Sequence, residues 1–208
     1  MTEHPIHDVQ SDIAYLKALA EEGRAAPLLM GPVLVAAALW FGAATLIQFG
    51  VALDIVRLGG WGILTMWLVA GLGFAALLYV LVRRINHQIG SQSRDNIVMG
   101  ATWSACGYSI FGTWVVLVAF GVSTQNWSSM ALMPSFVMVA YGAAWLISGQ
   151  IAKRGWMLLT GLMCFVGASA MGYFAFTVWT YGIYLVMLLA VALIPGLHLM
   201  KLAKRAGA

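Results

Sequence analysis

The chain has 208 residues, of which 62% are hydrophobic and 9% are charged, and its formal net charge is +4. About a quarter of the residues of a soluble domain are charged, so this composition cannot supply a water-facing surface for a chain of this size. The mean hydropathy of +0.90 places most of the chain in lipid. We therefore expect an integral membrane protein, whose basic balance reflects membrane topology and not nucleic-acid binding.

Residues 1–26 are predicted to form a polar cytoplasmic tail. Apolar side chains recur at helical spacing between Asp8 and Glu22, which predicts a short amphipathic helix. Residues 1–24 carry two basic and five acidic side chains, a balance of 2 − 5 = −3. Because an acidic helix binds the anionic inner leaflet poorly, we expect the tail to dock on protein through Ile13, Leu16 and Leu19.

Six apolar runs follow within residues 27–202, and each is long enough to cross a hydrocarbon core of about 30 Å as a helix. The runs are apolar on every face, whereas the strands of a membrane barrel alternate. The predicted spans cover residues 28–52, 60–82, 97–122, 130–151, 156–177 and 181–200. They predict an all-α bundle of six transmembrane helices in three hairpins, with a basic C-terminus at 203–208.

Basic residues indicate the orientation of this bundle. One side holds Lys17, Arg24, Arg83, Arg84, Arg94, Lys153, Arg154, Lys201, Lys204 and Arg205, and the other side holds Arg57. Lys and Arg are enriched in cytoplasmic loops. Both termini are therefore expected in the cytoplasm.

No Asp, Glu, Lys or Arg lies in the middle of a predicted span. Ionisable residues at that depth mark proton relays and ion pathways, so transport by a buried carboxylate is not expected. His198 has no second histidine at its depth for haem ligation. Cys106 and Cys164 are too far apart in sequence for a structural zinc motif. We expect no metal, no other cofactor and no catalytic residue.

The third span carries a polar stripe, because Thr102, Cys106, Ser109 and Thr113 recur at steps of four, three and four. Two interpretations stay open. The stripe could line a small uncharged cavity together with Tyr141, Ser148 and Cys164 from the next two spans. Alternatively, these small and hydroxylated residues could form a contact between closely packed helices.

The fifth span has small residues at a spacing that favours a close helix contact, namely Gly161, Ala168 and Gly172. This pattern predicts that Gly172→Leu or Ala168→Leu disrupts packing more than Ala37→Leu.

Two prolines are expected to shape the bundle. Pro134 falls in the first turn of the fourth span, where a missing N–H costs nothing. Pro195, followed by Gly196, frees the carbonyl of Val191 and should kink the sixth helix. Pro195 and Gly196 form either a hinge or a fixed bend.

Several short segments resemble parts of an uncharacterised family of bacterial six-helix integral membrane proteins. The segments are Asp12-Ile13-Ala14-Tyr15-Leu16-Lys17-Ala18-Leu19-Ala20-Glu21-Glu22-Gly23-Arg24, Leu132-Met133-Pro134-Ser135 with Tyr141-Gly142-Ala143-Ala144-Trp145, and Ile194-Pro195-Gly196-Leu197-His198-Leu199-Met200. The resemblance implies a bacterial inner-membrane location and no particular activity.

Our leading hypothesis is a non-catalytic accessory or regulatory subunit of a membrane complex, with a membrane or cytoplasmic protein or a second copy as its partner. The alternative is a small carrier or channel for an uncharged or lipid-like molecule. A third hypothesis is an enzyme that acts on lipids through Arg83, Arg84 and His87. A continuous polar cavity would favour the carrier, and a closed, dry bundle would favour the accessory subunit.

Overall fold

The computed structural model describes residues 28–88 and 90–205, so the predicted tail helix with Ile13, Leu16 and Leu19 lies outside the described residues. The described part of the chain is all-α and has no strand. Its six helices are all long and apolar enough to cross a membrane. The prediction of a six-helix, multi-pass membrane protein is confirmed at this level.

The helices are α1 (Gly31–Ala52), α2 (Gly60–Asn86), α3 (Arg94–Thr124), α4 (Met133–Ile151), α5 (Gly155–Tyr173) and α6 (Trp179–Arg205). A 3-10 turn at Ser128–Leu132 precedes α4, and Pro134 lies in the first turn of α4 as predicted. Helix α5 ends four residues before the predicted boundary at 177. The chain turns there, and the Thr180 hydroxyl donates a hydrogen bond to the Phe174 carbonyl.

Five helices surround the core, and α2 lies outside it. The helices contact one another in the order α2, α1, α6, α5, α4, α3, and the contact between α4 and α5 is the most extensive. The backbone N–H of Leu29 donates to Asn96 Oδ1 at 3.0 Å, which joins the start of α1 to the start of α3. Among the described residues, helix α2 packs mainly on α1, and Ala70 is the one residue of α2 that is buried.

The two ends of the bundle differ in charge. The end that holds the start of α1, the end of α2 and the end of α6 is here called the basic end. It carries Asp95 and eight basic residues, which are Arg83, Arg84, Arg94, Lys153, Arg154, Lys201, Lys204 and Arg205. The opposite end carries Asp54 and Arg57. This asymmetry is built into the described helices and their loops.

Glycines allow α4 and α5 to approach closely. A Cβ at Gly161 would lie 3.0 Å from the carbonyl oxygen of Gly142, and a Cβ at Gly149 would lie 2.9 Å from the backbone nitrogen of Leu158. Contacts this short leave no room for a side chain. Small residues that admit a neighbouring backbone are a common means of helix association in membranes.

The structure contradicts the basis of the predicted ranking of leucine substitutions at two of its three positions. Ala168 is buried, but a Cβ at Gly172 would meet only the Ser135 hydroxyl at 3.8 Å, so Gly172 has space around it. Ala37, where the sequence predicts a smaller disruption by leucine, is 4% exposed. Spacing alone identified a small face on α5 without showing which part of it meets α4.

Candidate functional site

An aromatic cluster surrounds Trp145 of α4, whose side chain is fully buried. The ring of Trp145 lies edge-to-face with Trp103 of α3, with a centroid distance of 5.4 Å. It also contacts Trp156 of α5, with a centroid distance of 5.7 Å. Trp103 also meets Tyr141 edge-to-face at 5.3 Å. The cluster therefore connects α3, α4 and α5, and aromatic pairs of this geometry stabilise beyond the area they bury.

A hydrogen bond extends the cluster to α6. The indole N–H of Trp145 donates to the carbonyl oxygen of Val191 at 2.9 Å, and both groups are buried. Val191 lies four residues before Pro195, so its carbonyl is the one that an α-helix would pair with the N–H that proline lacks. The indole of α4 thus satisfies the carbonyl that the sequence predicted to be free.

The helix is locally widened next to Pro195. Residues Leu189–Leu193 form a π-helical segment, and the N–H of Ile194 bonds to the carbonyl of Leu189, five residues back. A π-bulge is one of the identifiable causes of a helix kink, and π-bulges often occur at functional sites. The irregularity of α6 therefore begins six residues before the proline, and its Val191 carbonyl is bonded to Trp145.

The candidate hinge residues Pro195 and Gly196 are both buried. A Cβ at Gly196 would lie 3.0 Å from the carbonyl oxygen of Gly31, and a Cβ at Gly31 would lie 2.8 Å from the carbonyl oxygen of Gly196. The backbones of α1 and α6 therefore cross in direct contact at these two glycines. This contact supports a fixed bend at Pro195.

The polar stripe of α3 is divided between two environments. The hydroxyls of Thr102, Ser109 and Thr113 each donate to the carbonyl four residues earlier in α3, at 2.8–2.9 Å. Ser109 is exposed on the outside of the bundle. Cys106 is buried in the core. The stripe thus places one of its four side chains among the core residues.

The other candidate cavity residues lie in the core with Cys106. Tyr141, Ser148 and Cys164 are all buried. The Ser148 hydroxyl accepts a hydrogen bond from the indole N–H of Trp103 at 3.2 Å. Tyr141 also packs against the Trp103 ring. The structure therefore brings Cys106, Tyr141, Ser148 and Cys164 into one aromatic core.

A polar contact that the sequence analysis missed lies at the opposite end of the bundle. Gln48 of α1 is 8% exposed, and its Oε1 accepts a hydrogen bond from the indole N–H of Trp67 of α2 at 3.2 Å. Gln48 also interacts with the side chain of Tyr181 of α6. A glutamine inside an apolar run is the signal that could have revealed this contact, because an amide in lipid needs hydrogen-bond partners although it is not ionisable.

Asn96 is a second polar contact that the sequence did not reveal. Besides accepting from Leu29, its Nδ2 donates to the carbonyl of Gly90 and to the Ser93 hydroxyl, at 3.0 and 3.1 Å. Asn96 therefore ties the start of α1 to the loop before α3. Its position in the first turn of α3 gave no indication of this role.

An apolar groove of about 590 Å³ lies between α1, α2 and the end of α6. None of the candidate cavity residues lines it. Its lining residues are Pro32, Val35, Ala36, Leu39, Trp40, Ala43, Leu77 and Met200. Trp40 is fixed at its edge, because its indole N–H donates to the Ala70 carbonyl of α2 at 2.8 Å.

Within the described ranges, no group of three His, Cys, Asp or Glu side chains could hold a metal ion. His198 lies near the basic end, where its ring meets Trp156 edge-to-face at 5.3 Å. Comparisons of the chain with protein-family models, with curated proteins and with solved structures give no match.

The contact between Trp145 and Val191 leads to a testable prediction. Trp145→Phe removes the donor and leaves a buried carbonyl unsatisfied, so we expect it to destabilise the protein by about 1–3 kcal/mol. Pro195→Ala supplies a backbone N–H near that carbonyl. The loss caused by Trp145→Phe should therefore be smaller in the Pro195→Ala background, as measured by thermal unfolding in detergent.

Trp114→Phe is the matched control. The Trp114 ring stacks on Phe111, but among the described residues its indole has no hydrogen bond. Equal losses for Trp145→Phe in both backgrounds, or an equal loss for Trp114→Phe, would contradict the assigned role.

Proposed function

We propose that the protein is a non-catalytic integral membrane subunit that supports or regulates a larger membrane complex. The observation that carries this proposal is the closure of the core. The polar side chains that could have lined a path for a solute are packed among Trp103, Trp145 and Trp156 or are bonded to their own helix. This arrangement favours the closed, dry bundle over the carrier or channel, which stays the alternative.

The outer helices supply surfaces for a partner. Only 6% of the apolar window of α2 is buried, and 17% of that of α3, compared with 44% for α6. Gly71 of α2 and Gly107 of α3 have no neighbour within 4 Å of an added Cβ. The open space beside these glycines could accommodate a helix of another protein or of a second copy, because small residues allow helix backbones to pack closely in lipid.

The charge asymmetry supports an orientation with the basic end in the cytoplasm, since Lys and Arg are retained on that side. The tail at residues 1–26 would then share a compartment with the basic end, and it remains our candidate for docking on a partner through Ile13, Leu16 and Leu19. The three-hairpin arrangement and the bacterial inner-membrane location belong to the same proposal.

The partner surface on α2 can be tested with a photo-crosslinking amino acid at Leu72, which is 73% exposed. Val166 of α5 is 72% exposed and is the matched control. In native membranes we expect a several-fold higher yield of protein adducts from Leu72 than from Val166. An adduct with a second copy would identify a homo-oligomer, and equal yields at both positions would contradict a dedicated surface on α2.

The dry core can be tested with the native cysteines. Cys106 and Cys164 are buried in the core cluster, so we expect both thiols to resist a water-soluble maleimide while the protein is folded. Labelling should appear only after unfolding in detergent. Rapid labelling of Cys106 in the folded protein would favour the carrier.

The orientation can be tested with single cysteines placed in the loops. Cysteines at Ile55 and Ser128 should react with a membrane-impermeant reagent added from outside the cell. Cysteines at Ser91 and Gly155 lie at the basic end and should react only after the membrane is opened. External labelling at Ser91 would reverse the assigned orientation.

A further inference from the structure

We infer that the apolar groove between α1, α2 and α6 is a binding site for a phospholipid with an anionic headgroup. One acyl chain lies in the groove, and the headgroup meets basic side chains where the groove reaches the basic end. This inference stands independently of the proposed function, because it rests on the groove and its charges alone.

The groove has the chemistry and the length of an acyl-chain site. All eight of its lining residues are apolar in character, and its volume of about 590 Å³ lies within the range of about 300–1,000 Å³ that is usual for small-molecule sites. Along α1 it runs from Pro32 to Ala43. Eleven residues of helix span about 16 Å, which matches half of a hydrocarbon core of about 30 Å.

Two basic residues lie on the helix faces that line the groove, nearer to the basic end than the lining residues. Arg84 lies seven residues, or two turns, after Leu77 on α2, and Lys204 lies four residues after Met200 on α6. Residues at these separations share a helix face. Both are exposed and lie at the basic end, so Arg84 and Lys204 flank the mouth of the groove.

No carboxylate in the described ranges neutralises this mouth. The acidic residues in the described ranges are Asp54, at the opposite end of the bundle, and Asp95, at the start of α3. Neither forms a salt bridge with another described residue. Arg83 lies nearby, with its guanidinium carbon 4.7 Å from the centre of the Tyr79 ring. Basic pockets between membrane helices bind anionic lipid headgroups, and guanidinium groups bind phosphate with two parallel hydrogen bonds.

A bound chain would also fill a space that the helices leave open. Trp40 spans from α1 to α2, and its ring lies against Gly73 and Ala70. This contact fixes one edge of the groove. The glycine crossing of α1 and α6 fixes the other. These two contacts define the edges of the groove.

The headgroup can be tested by native mass spectrometry of the full-length protein. The delipidated protein is offered equal amounts of palmitoyl-oleoyl phosphatidylglycerol and phosphatidylcholine, which differ in charge and share their chains. We expect wild type to prefer phosphatidylglycerol. The double variant Arg84→Gln, Lys204→Gln should weaken the binding of phosphatidylglycerol by about 30-fold. This factor is the product of two similar losses, because each basic residue near the membrane surface strengthens the binding of anionic lipid by a similar factor.

The matched control is Lys153→Gln, Arg154→Gln, which removes the same charge from the same end between α4 and α5. It should leave the preference for phosphatidylglycerol unchanged. An equal loss in the two double variants would overturn the inference, because it would show diffuse attraction to the basic end. No preference in wild type would overturn it as well.

The acyl chain is tested separately with Ala43→Phe. Ala43 is exposed and lines the groove, so phenylalanine fills the groove without pushing helices apart. Binding of both lipids should fall several-fold. Ala119→Phe, at an exposed position of α3 outside the groove, should leave binding unchanged. Unaltered binding by Ala43→Phe would show that the chain does not occupy the groove.

Discussion

The hydrogen bond between the Trp145 indole and the Val191 carbonyl determines how α6 crosses the bundle. A membrane interior has no water to bond a carbonyl that proline leaves unpaired, and such a group costs several kcal/mol. The N–H that α6 lacks at Pro195 is replaced by a donor from α4. The bend of α6 and the position of Trp145 therefore depend on each other. Trp145 in turn packs against Trp103 of α3 and Trp156 of α5. The positions of α3, α4 and α5 are therefore linked to this one hydrogen bond.

The polar groups of this bundle fall into two kinds. A Ser or Thr hydroxyl can donate to a carbonyl of its own helix, as Ser109 and Thr113 do, and it then needs no neighbour. A side-chain amide has two donors and an acceptor, and its own helix does not satisfy all of them. Gln48 and Asn96 therefore bond to other segments and fasten opposite ends of α1. Side-chain amides and indoles therefore form hydrogen bonds between helices, whereas the hydroxyls of the polar stripe bond within α3.

The sequence predicted well what the bilayer itself dictates. The apolar runs placed all six helices because a span must match a fixed thickness, and the missing N–H of Pro195 identified the Val191 carbonyl. The partner of that carbonyl was not predictable, because Trp145 is 46 residues distant in sequence and spacing within one helix carries no information about its neighbour. For the same reason the small face of α5 was predicted without its partner: an added Cβ at Gly161 would meet the backbone of α4, whereas one at Gly172 would meet the Ser135 hydroxyl of α4 at 3.8 Å.

Helix α2 shows how the two proposals connect. In lipid an exposed apolar helix carries no hydrophobic penalty, so specific contacts decide where α2 lies. Its polar contacts with α1 are at Trp67 and Ala70. Beyond Leu77, towards Arg84, no hydrogen bond between described residues joins α2 to α1, and this is where the groove opens. A phospholipid bound between Arg84 and Lys204 would fix the free part of α2. Leu72 lies two residues from Ala70, which Trp40 already holds, so the lipid and a partner would act on different parts of the same exposed helix.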